Sequence, residues 1–178
     1  MNSLHPLRIV PAERKHLPAI HAMIRELAQF EKLEHLLSGT VDDLESELFG
    51  EEPVIEAVTA LVGETPAAFA LYFHNYSTFL ARKGLYLEDL YVTPAYRRQG
   101  IGRALLVYLA RTAVARGCGR FEWSVLDWNE PAISFYQGLG ASLLPEWRIV
   151  RVTGAALDAL ATMKASKAAK SSPCSKTD

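Results

Sequence analysis

Residues 85–109 combine a β-prone run, a turn rich in glycine and arginine, and a helical pattern. The turn reads Arg-x-x-Gly-x-Gly over residues 97–102, and Arg98 and Arg103 add further positive charge. Glycine lets a ligand approach the backbone closely, and the first N–H groups of a helix have no partner within the helix. Because the helix dipole also places partial positive charge at that end, the stretch predicts a pyrophosphate site.

The spacing of the glycines separates three kinds of phosphate site. A P-loop is excluded because no Gly-Lys pair followed by a hydroxyl residue occurs in the chain. A dinucleotide fingerprint is disfavoured because Leu105 stands where Gly or Ala is required, although Glu122 lies at the distance expected for a ribose-binding carboxylate. In their arginine and two glycines, residues 97–102 resemble the third kind, the pyrophosphate turn of acyltransferases.

Two carboxylates interrupt the β-prone run just before this turn. Side chains alternate between the two faces of a strand, so Glu88 and Asp89 are predicted to point to opposite faces. Asp89 then shares its face with Leu87 and Tyr91. Burying an unpaired carboxylate is costly, so a partner, water or a function must account for whichever of the two is covered.

Residues 129–141 are the second stretch with chemical potential. Asn129 is a suitable N-cap for a helix that has Pro131 in its first turn and ends at Gly140. A buried tyrosine needs a partner for its hydroxyl, and this helix follows a strand adjacent to the phosphate turn, so the phenol of Tyr136 is predicted near the ligand. Capping and core packing alone would also account for Asn129 and Tyr136.

The elements that position these residues follow from hydrophobic periodicity. The first half of the chain predicts a strand, two helices and three antiparallel strands. The second half alternates strand and helix, which predicts a parallel strand pair at the cofactor site. The expected fold class is therefore α/β with a mixed sheet, mostly antiparallel in its N-terminal half, and helices on both faces. The predicted strands cover residues 7–10, 54–62, 67–76, 85–92, 121–126 and 147–152, and the predicted helices 12–30, 41–49, 101–115 and 129–139.

The composition is that of an ordinary globular protein. The chain has 178 residues, of which 49% are apolar and 22% charged, with a formal net charge of −1. One domain is predicted over residues 1–163, and the lysine-rich residues 164–178 have too few apolar side chains to pack, so a disordered tail is expected there. The near-neutral charge argues against nucleic acid as a partner.

Membranes, disulfides and metals are not expected either. No run approaches the roughly 20 apolar residues of a membrane span. Cys118 and Cys174 are the only cysteines, and the five histidines show no metal-binding spacing. These features predict a cytoplasmic protein without a disulfide framework or a metal site.

The order of elements, the turn at residues 97–102 and the helix at residues 129–139 resemble the GNAT N-acetyltransferases. Residues 23–31, 85–92 and 128–131 are similar to the diamine (spermidine/spermine) acetyltransferase branch of that superfamily. The similarity covers about residues 7 to 160. The resemblance implies acetyl-CoA as co-substrate, a small-molecule amine as acceptor and a homodimer.

The resemblance also implies a role for particular residues. Tyr136 matches the proton donor to the leaving thiolate, and Glu88 matches the carboxylate that takes the proton of the amine. Asn129 would lie beside the thioester. The pantetheine arm would pair with Leu90, Tyr91 and Val92, the pyrophosphate would be held by Arg97, Arg98, Gln99, Gly100, Ile101, Gly102 and Arg103, and the amine channel would be lined by Phe30, Glu31, Glu88, Glu122, Trp123, Ser124 and Glu146.

The leading hypothesis is an N-acetyltransferase that acts on a small polyamine-like amine by direct transfer in a ternary complex. An alkylamine with a pKa of about 10.4 is protonated at neutral pH, so a carboxylate has to bind the cation and relay its proton. Members of the branch that it resembles also acetylate thialysine, other small amines or amino acids, and a protein amine is a further alternative. A non-catalytic module that binds acyl-CoA is the hypothesis from another class.

Overall fold

The computed structural model describes residues 6–163 and contains five strands and five α-helices within that range. The strands are short except in the central hairpin, where β3 and β4 are joined by a four-residue turn. Short 3-10 turns at Arg14–His16, Glu34–Leu36 and Pro94–Tyr96 connect the elements. The strands are β1 Leu7–Pro11, β2 Glu56–Val62, β3 Thr65–Ser77, β4 Arg82–Val92 and β5 Phe121–Trp123; the helices are α1 Leu17–Glu31, α2 Val41–Phe49, α3 Ile101–Ala115, α4 Glu130–Gln137 and α5 Ala155–Thr162.

The five strands form one mixed sheet in the order β1-β2-β3-β4-β5. The first four pair antiparallel, whereas β5 pairs parallel to β4. The parallel pair arises because α3 crosses over between the two strands, as a parallel connection requires. The predicted fold class, including the parallel pair, is confirmed.

Helices cover both faces of the sheet. Leu17 and Ile20 of α1 and Leu44 of α2 pack in one core cluster with Phe69 and Leu71 of β3. The helix α3 lies on the opposite face, because a Cβ at Gly102 would lie 3.8–3.9 Å from Val92 and Leu90, which alternate with the cluster residue Tyr91. The packing of α3 against β4 therefore holds both ends of the turn at residues 97–102 in place.

The chain divides into two compact units between Trp128 and Asn129. The first unit contains the whole sheet and α1 to α3, and the second contains α4 and α5. No helix in the described range is both long and apolar enough to cross a bilayer. The expected disordered tail at residues 164–178 lies outside the described residues.

Of the two strands predicted in the C-terminal half, one is shorter than predicted and the other does not form. The strand predicted at residues 121–126 ends at Trp123. The one predicted at residues 147–152 is absent, and Trp147, Ile149 and Val150 are exposed there. Alternating apolar residues form a strand only when a neighbouring strand accepts their backbone hydrogen bonds, and the described chain supplies none to this segment. The helix α5 was not predicted.

Candidate active site

The parallel strands β4 and β5 stay together over only three residue pairs. Leu85, the first, pairs with Phe121, and Leu87, the last, with Trp123. From Glu88 to Val92 the strand β4 continues, but within the described chain it pairs only with β3. Its backbone groups on the other side pair with no strand there, at the positions predicted to pair with pantetheine, Leu90, Tyr91 and Val92. One of them, the carbonyl of Val92, accepts a hydrogen bond from Nε of Arg97.

A β-bulge lies at Glu88, where the two strands separate. In the β3–β4 ladder Leu71 pairs with Asp89 and Tyr72 with Leu87, so Glu88 is the extra residue. The prediction that Asp89 shares its face of the sheet with Leu87 was therefore wrong. Leu71 and Tyr72 point to opposite faces, so Asp89 and Leu87 do as well. Asp89 faces the α1–α2 layer, where its partner Leu71 is buried.

The turn that follows β4 brings the start of α3 against the end of that strand. Gly100 is the N-cap of α3 with a φ of 81°, a left-handed conformation that favours glycine. A Cβ placed on Gly100 would meet no atom within 4 Å, so the space ahead of the helix is open. Ile101 is buried and anchors the helix. The first N–H groups of α3 therefore face open space beside the free edge of β4.

The basic residues of the turn differ in what they contact. Arg97 donates from Nε to the carbonyl oxygen of Val92 at 2.9 Å, and its guanidinium lies 5.2 Å from the ring centre of Tyr91. Arg98 and Arg103 are exposed, and Arg98 has a φ of 62°. The side-chain amide of Gln99 donates to the backbone carbonyl of Ala95 at 3.2 Å. The exposed guanidinium groups remain available to a phosphate.

Three carboxylates come together beside the bulge. Glu31 ends α1, and Glu88 and Asp89 are adjacent in β4. Burial, followed by the charges of Glu88 and Glu31, raises the pKa of Asp89 to about 6, and burial also raises the pKa of Glu31. Within the described chain none of the three forms an ion pair. Unneutralised carboxylates at the C-terminal end of a helix, where the dipole is negative, make a strongly cation-attracting site.

Aromatic rings border this acidic group, which we call the acidic cluster (Glu31, Glu88 and Asp89). The rings of Phe30 and Trp128 are 5.7 Å apart and tilted, and the guanidinium of Arg97 lies 6.0 Å from the ring centre of Phe30. Tyr91 donates its hydroxyl to Glu26 at 3.0 Å, which ties the end of β4 to α1. Aromatic faces and carboxylates are together typical of a site for an organic cation.

The predicted residues in β5 and directly after it make contacts of their own. Glu122 accepts a hydrogen bond from the amide of Asn75 at 2.8 Å and lies 2.6 Å from Nε of Arg120. Ser124 forms a hydrogen bond with the hydroxyl of Tyr86 at 2.8 Å. The rings of Trp123 and Phe121 are tilted against each other, with 4.9 Å between their centres. The carboxylate of Glu122 is already paired, which distinguishes it from the acidic cluster.

The second unit carries the remaining predicted residues. Asn129 caps α4 by accepting a hydrogen bond from the N–H of Ala132 at 3.4 Å, as its position predicted. Tyr136 is half-buried on α4, its ring is 5.4 Å from that of Phe135, and burial raises the pKa of its phenol. The phenol is thus protonated at neutral pH and able to donate. Glu146 is exposed.

The sequence did not assign a role to Asp89 or Trp128. The sequence did indicate that Asp89 needs an explanation, because it is one of two adjacent carboxylates in a strand predicted to be buried. The strand pattern could not show the bulge that separates the two. Trp128 was noted only as part of a motif, and its contact with Phe30 depends on tertiary packing. Over residues 6–163 no group of three or more His, Cys, Asp or Glu side chains is arranged to hold a metal ion.

Comparison with known proteins gives three concordant findings. The sequence profile of the acetyltransferase (GNAT) family matches residues 21–141. The chain is 36% identical to L-ornithine N5-acetyltransferase NATA1 of Arabidopsis thaliana, covering 86% of this chain and 87% of that protein. It is 39% identical to the thialysine N-epsilon-acetyltransferase of Mus musculus, covering 86% and 96%. Among solved structures, an integron cassette protein of V. cholerae superposes with a TM-score of 0.73 at 27% identity, covering 88% and 98%.

Proposed function

Since the chain belongs to the GNAT acetyltransferase family, and is an N-acetyltransferase, we propose that it acetylates a terminal primary amine of a small diamine, polyamine or diamino acid. The ornithine and thialysine enzymes that it resembles are named for acceptors of this kind. Transfer is direct, in a ternary complex of the enzyme, acetyl-CoA and the amine.

The acidic cluster is the observation that carries this proposal. Three carboxylates without a cationic partner lie next to the open edge of β4, at the point where the pantetheine arm would pair. Burying the charge of Asp89 without a counter-ion is unfavourable, and its neighbours Glu31 and Glu88 are carboxylates as well, so this arrangement favours a ligand that brings positive charge. A molecule with two amines supplies one for acetylation and a second for electrostatic binding.

The first unit also fits acetyl-CoA. Its pyrophosphate would lie at the N-terminus of α3, in the open space ahead of Gly100, with Arg98 and Arg103 as exposed cations. The backbone of Leu90, Tyr91 and Val92 would hold the pantetheine arm. When bound, this co-substrate supplies the activated acetyl group. We propose that Asn129 lies beside the thioester and that Tyr136 protonates the thiolate that leaves.

A panel of amines tests the proposal through release of free CoA thiol. The panel contains ornithine, lysine, thialysine, putrescine, spermidine and glycine, with product identity confirmed by mass spectrometry. We expect turnover with the acceptors that have a second cationic group and little or none with glycine. Tight binding of CoA without transfer to any acceptor would instead support the non-catalytic module, and transfer only to protein substrates would support a protein-directed enzyme.

The cradle ahead of α3 is tested by a matched pair of glycine variants. Gly100 and Gly117 flank the two ends of α3, both have left-handed φ values (81° and 68°), and a Cβ at either would meet nothing within 4 Å. Substitution by alanine should cost each a similar amount of stability, roughly 1 kcal/mol, because the backbone conformation disfavours a side chain.

Only Gly100→Ala places its methyl group where the pyrophosphate is proposed to lie. We therefore expect it to weaken CoA binding about tenfold, equivalent to about 1.4 kcal/mol, and Gly117→Ala to leave binding unchanged. Isothermal titration calorimetry with CoA measures both. Equal affinities for the two variants would place the phosphates elsewhere.

The assembly and the cellular location remain predictions. A homodimer is implied by the family resemblance, and the exposed apolar side chains of Trp147, Ile149 and Val150 are of the kind that an interface would cover. Sedimentation velocity measures the assembly directly, and a monomer at micromolar concentration would contradict it. The cytoplasmic location and the single-domain organisation of residues 1–163 are likewise expectations.

A further inference from the structure

The two adjacent carboxylates of the site differ in their surroundings. Glu88 is the extra residue of the bulge, has no partner in the β3–β4 ladder and is exposed. Asp89 pairs with Leu71 and faces the layer of α1 and α2, where most of its surface is covered. The family resemblance assigns the proton-accepting role to Glu88, whereas the bulge gives the more enclosed position to Asp89.

The charged groups around Asp89 leave it without a counter-ion. Glu31 at the end of α1 and the adjacent Glu88 are both anionic neighbours, and the last turn of α1 contains no basic residue. Lys32 follows as the C-cap of α1 and forms no ion pair in the described chain. Arg97 is occupied by the carbonyl of Val92 and by two aromatic faces.

The hydrogen bonds of the neighbouring groups go elsewhere as well. The hydroxyl of Tyr91, two residues along the same face, is directed to Glu26 rather than to Asp89. Asp89 thus combines three properties: an enclosed position, a negative environment and no hydrogen-bonding partner among the described side chains. A cation is the partner that this environment favours.

We propose that Asp89, rather than Glu88, accepts the proton that the acceptor ammonium group loses before it attacks the thioester. This inference rests on the proposed function. Glu88, exposed at the bulge, and Glu31 would bind and orient the cation. The residue that removes the proton and the residues that attract the substrate are then different members of the same acidic cluster.

The ammonium group gives one proton to the carboxylate of Asp89, which later releases it to solvent. The free amine attacks the carbonyl carbon of the acetyl group; a C–N bond forms and the C–S bond breaks. The second proton leaves the nitrogen as the amide forms and restores the phenol of Tyr136, which has protonated the thiolate. The net products are the acetylated amine, CoA thiol and one proton.

The environment of Asp89 suits it to this role. A carboxyl whose pKa is raised from 3.8 to about 6 is a roughly hundredfold stronger base than an ordinary aspartate. It is still ionised at neutral pH, so it is ready to accept. General bases are most effective when their pKa lies near the operating pH.

The isosteric amide variants Asp89→Asn and Glu88→Gln separate the two carboxylates. We expect the pH profile of kcat/KM of the unaltered enzyme to fall as the pH drops through about 6, because protonated Asp89 no longer accepts. Asp89→Asn should lower kcat/KM about a hundredfold at pH 7.5, within the usual range for loss of a general base, and abolish this acidic limb. Glu88→Gln should lower it less than about tenfold, as loss of one attractive charge would, and keep the limb.

An acceptor amine of low pKa distinguishes a proton-accepting role of Asp89 from a merely structural one. An amine that is already neutral at the assay pH has no proton to lose before attack. The deficit of Asp89→Asn should therefore shrink at least tenfold when the reacting amine is replaced by such an amine on a substrate that keeps its second ammonium group. The deficit of Glu88→Gln, which comes from attraction to the charge that is kept, should not shrink.

The outcomes are distinguishable. Loss of the acidic limb in Glu88→Gln and its retention in Asp89→Asn would overturn the inference and return the role to Glu88. Absence of turnover by the unaltered enzyme with every amine would instead refute the proposed function. Should Asp89→Asn not fold, a ¹³C NMR titration of the aspartate carboxyls of the unaltered chain decides. A carboxyl that titrates near pH 6 and moves when a diamine binds supports the inference, and its absence contradicts it.

Discussion

Replacing Tyr136 with phenylalanine should lower kcat about a hundredfold while it leaves the affinity for acetyl-CoA nearly unchanged. Proton donation by a positioned side chain typically contributes 10²- to 10⁴-fold, so we expect a value at the lower end of about 10² because water can replace the phenol in part. The burial that raises the pKa of Tyr136 keeps the hydroxyl protonated, which is the form that donates. The ring of the phenylalanine variant fills the same space.

The reason for the separation between rate and affinity is that the phenol acts only when the thiolate leaves. An interaction made in the transition state and not in the ground state affects kcat and kcat/KM equally. Steady-state kinetics with the best acceptor of the panel, together with calorimetric titration of CoA, measure both quantities. Tyr76→Phe is the matched control, because Tyr76 is 62% exposed on the β3–β4 hairpin, remote from α4 in sequence.

Two results would remove Tyr136 from the proposed role. One is an unchanged kcat in Tyr136→Phe. The other is a loss of CoA affinity that accounts for the whole effect, since that would make Tyr136 a binding residue. A change of less than about 1 kcal/mol in unfolding free energy is expected from loss of one hydroxyl hydrogen bond, so a large fall in stability would point to misfolding.

The sequence was sufficient wherever a local rule decides the structure. The glycine turn was predicted from the spacing of its glycines, and the helix that starts at Ile101 from the helical repeat of its apolar residues. The left-handed N-cap at Gly100 is a conformation that glycine favours. Asn129 was predicted as an N-cap because its side chain can accept from the first turn, and it does so. The parallel pair followed from the helix between β4 and β5.

The sequence was insufficient where the structure depends on a partner distant in the chain. The bulge at Glu88 is set by how β3 and β4 align over their whole length, and a strand pattern of period two contains no sign of it. The proximity of Glu31 to Asp89 depends on the packing of α1 over β4, although the two residues are far apart in sequence. For the same reason the apolar residues 147–152 read as a strand without forming one.

The substitution Asp89→Asn should raise the stability of the folded chain at neutral and alkaline pH. Burying this carboxyl among other carboxylates raises its pKa from 3.8 to about 6 in the folded state. The folded state therefore retains a proton that the unfolded state has released, and stability falls as the pH rises between these two values. Near pH 4 the folded state is protonated and the unfolded state about half protonated, so the wild-type chain pays little of this penalty.

At pH 8 the ionised carboxylate of Asp89 destabilises the folded state to its full extent, and the neutral amide of asparagine removes this destabilisation. The shift of about two pKa units corresponds to about 3 kcal/mol, of which we expect about 2 to be recovered because the amide needs its own hydrogen bonds. This corresponds to an increase of about 4–8 °C in Tm for a domain of this size. Asp127→Asn, an exposed aspartate of the same unit, serves as the control and should change Tm little.

Thermal unfolding followed by circular dichroism at pH 4 and at pH 8 measures this dependence. A gain in Tm at pH 8 that disappears at pH 4 is the expected pattern, and a gain of the same size at both values would show that charge is not its cause. A variant that is more stable yet slower would mean that the chain keeps an unfavourable carboxylate because the reaction needs it. A cation-binding site that holds no cation of its own costs stability, because the neutralising charge arrives only with the substrate. At a residue of such a site, function therefore opposes stability.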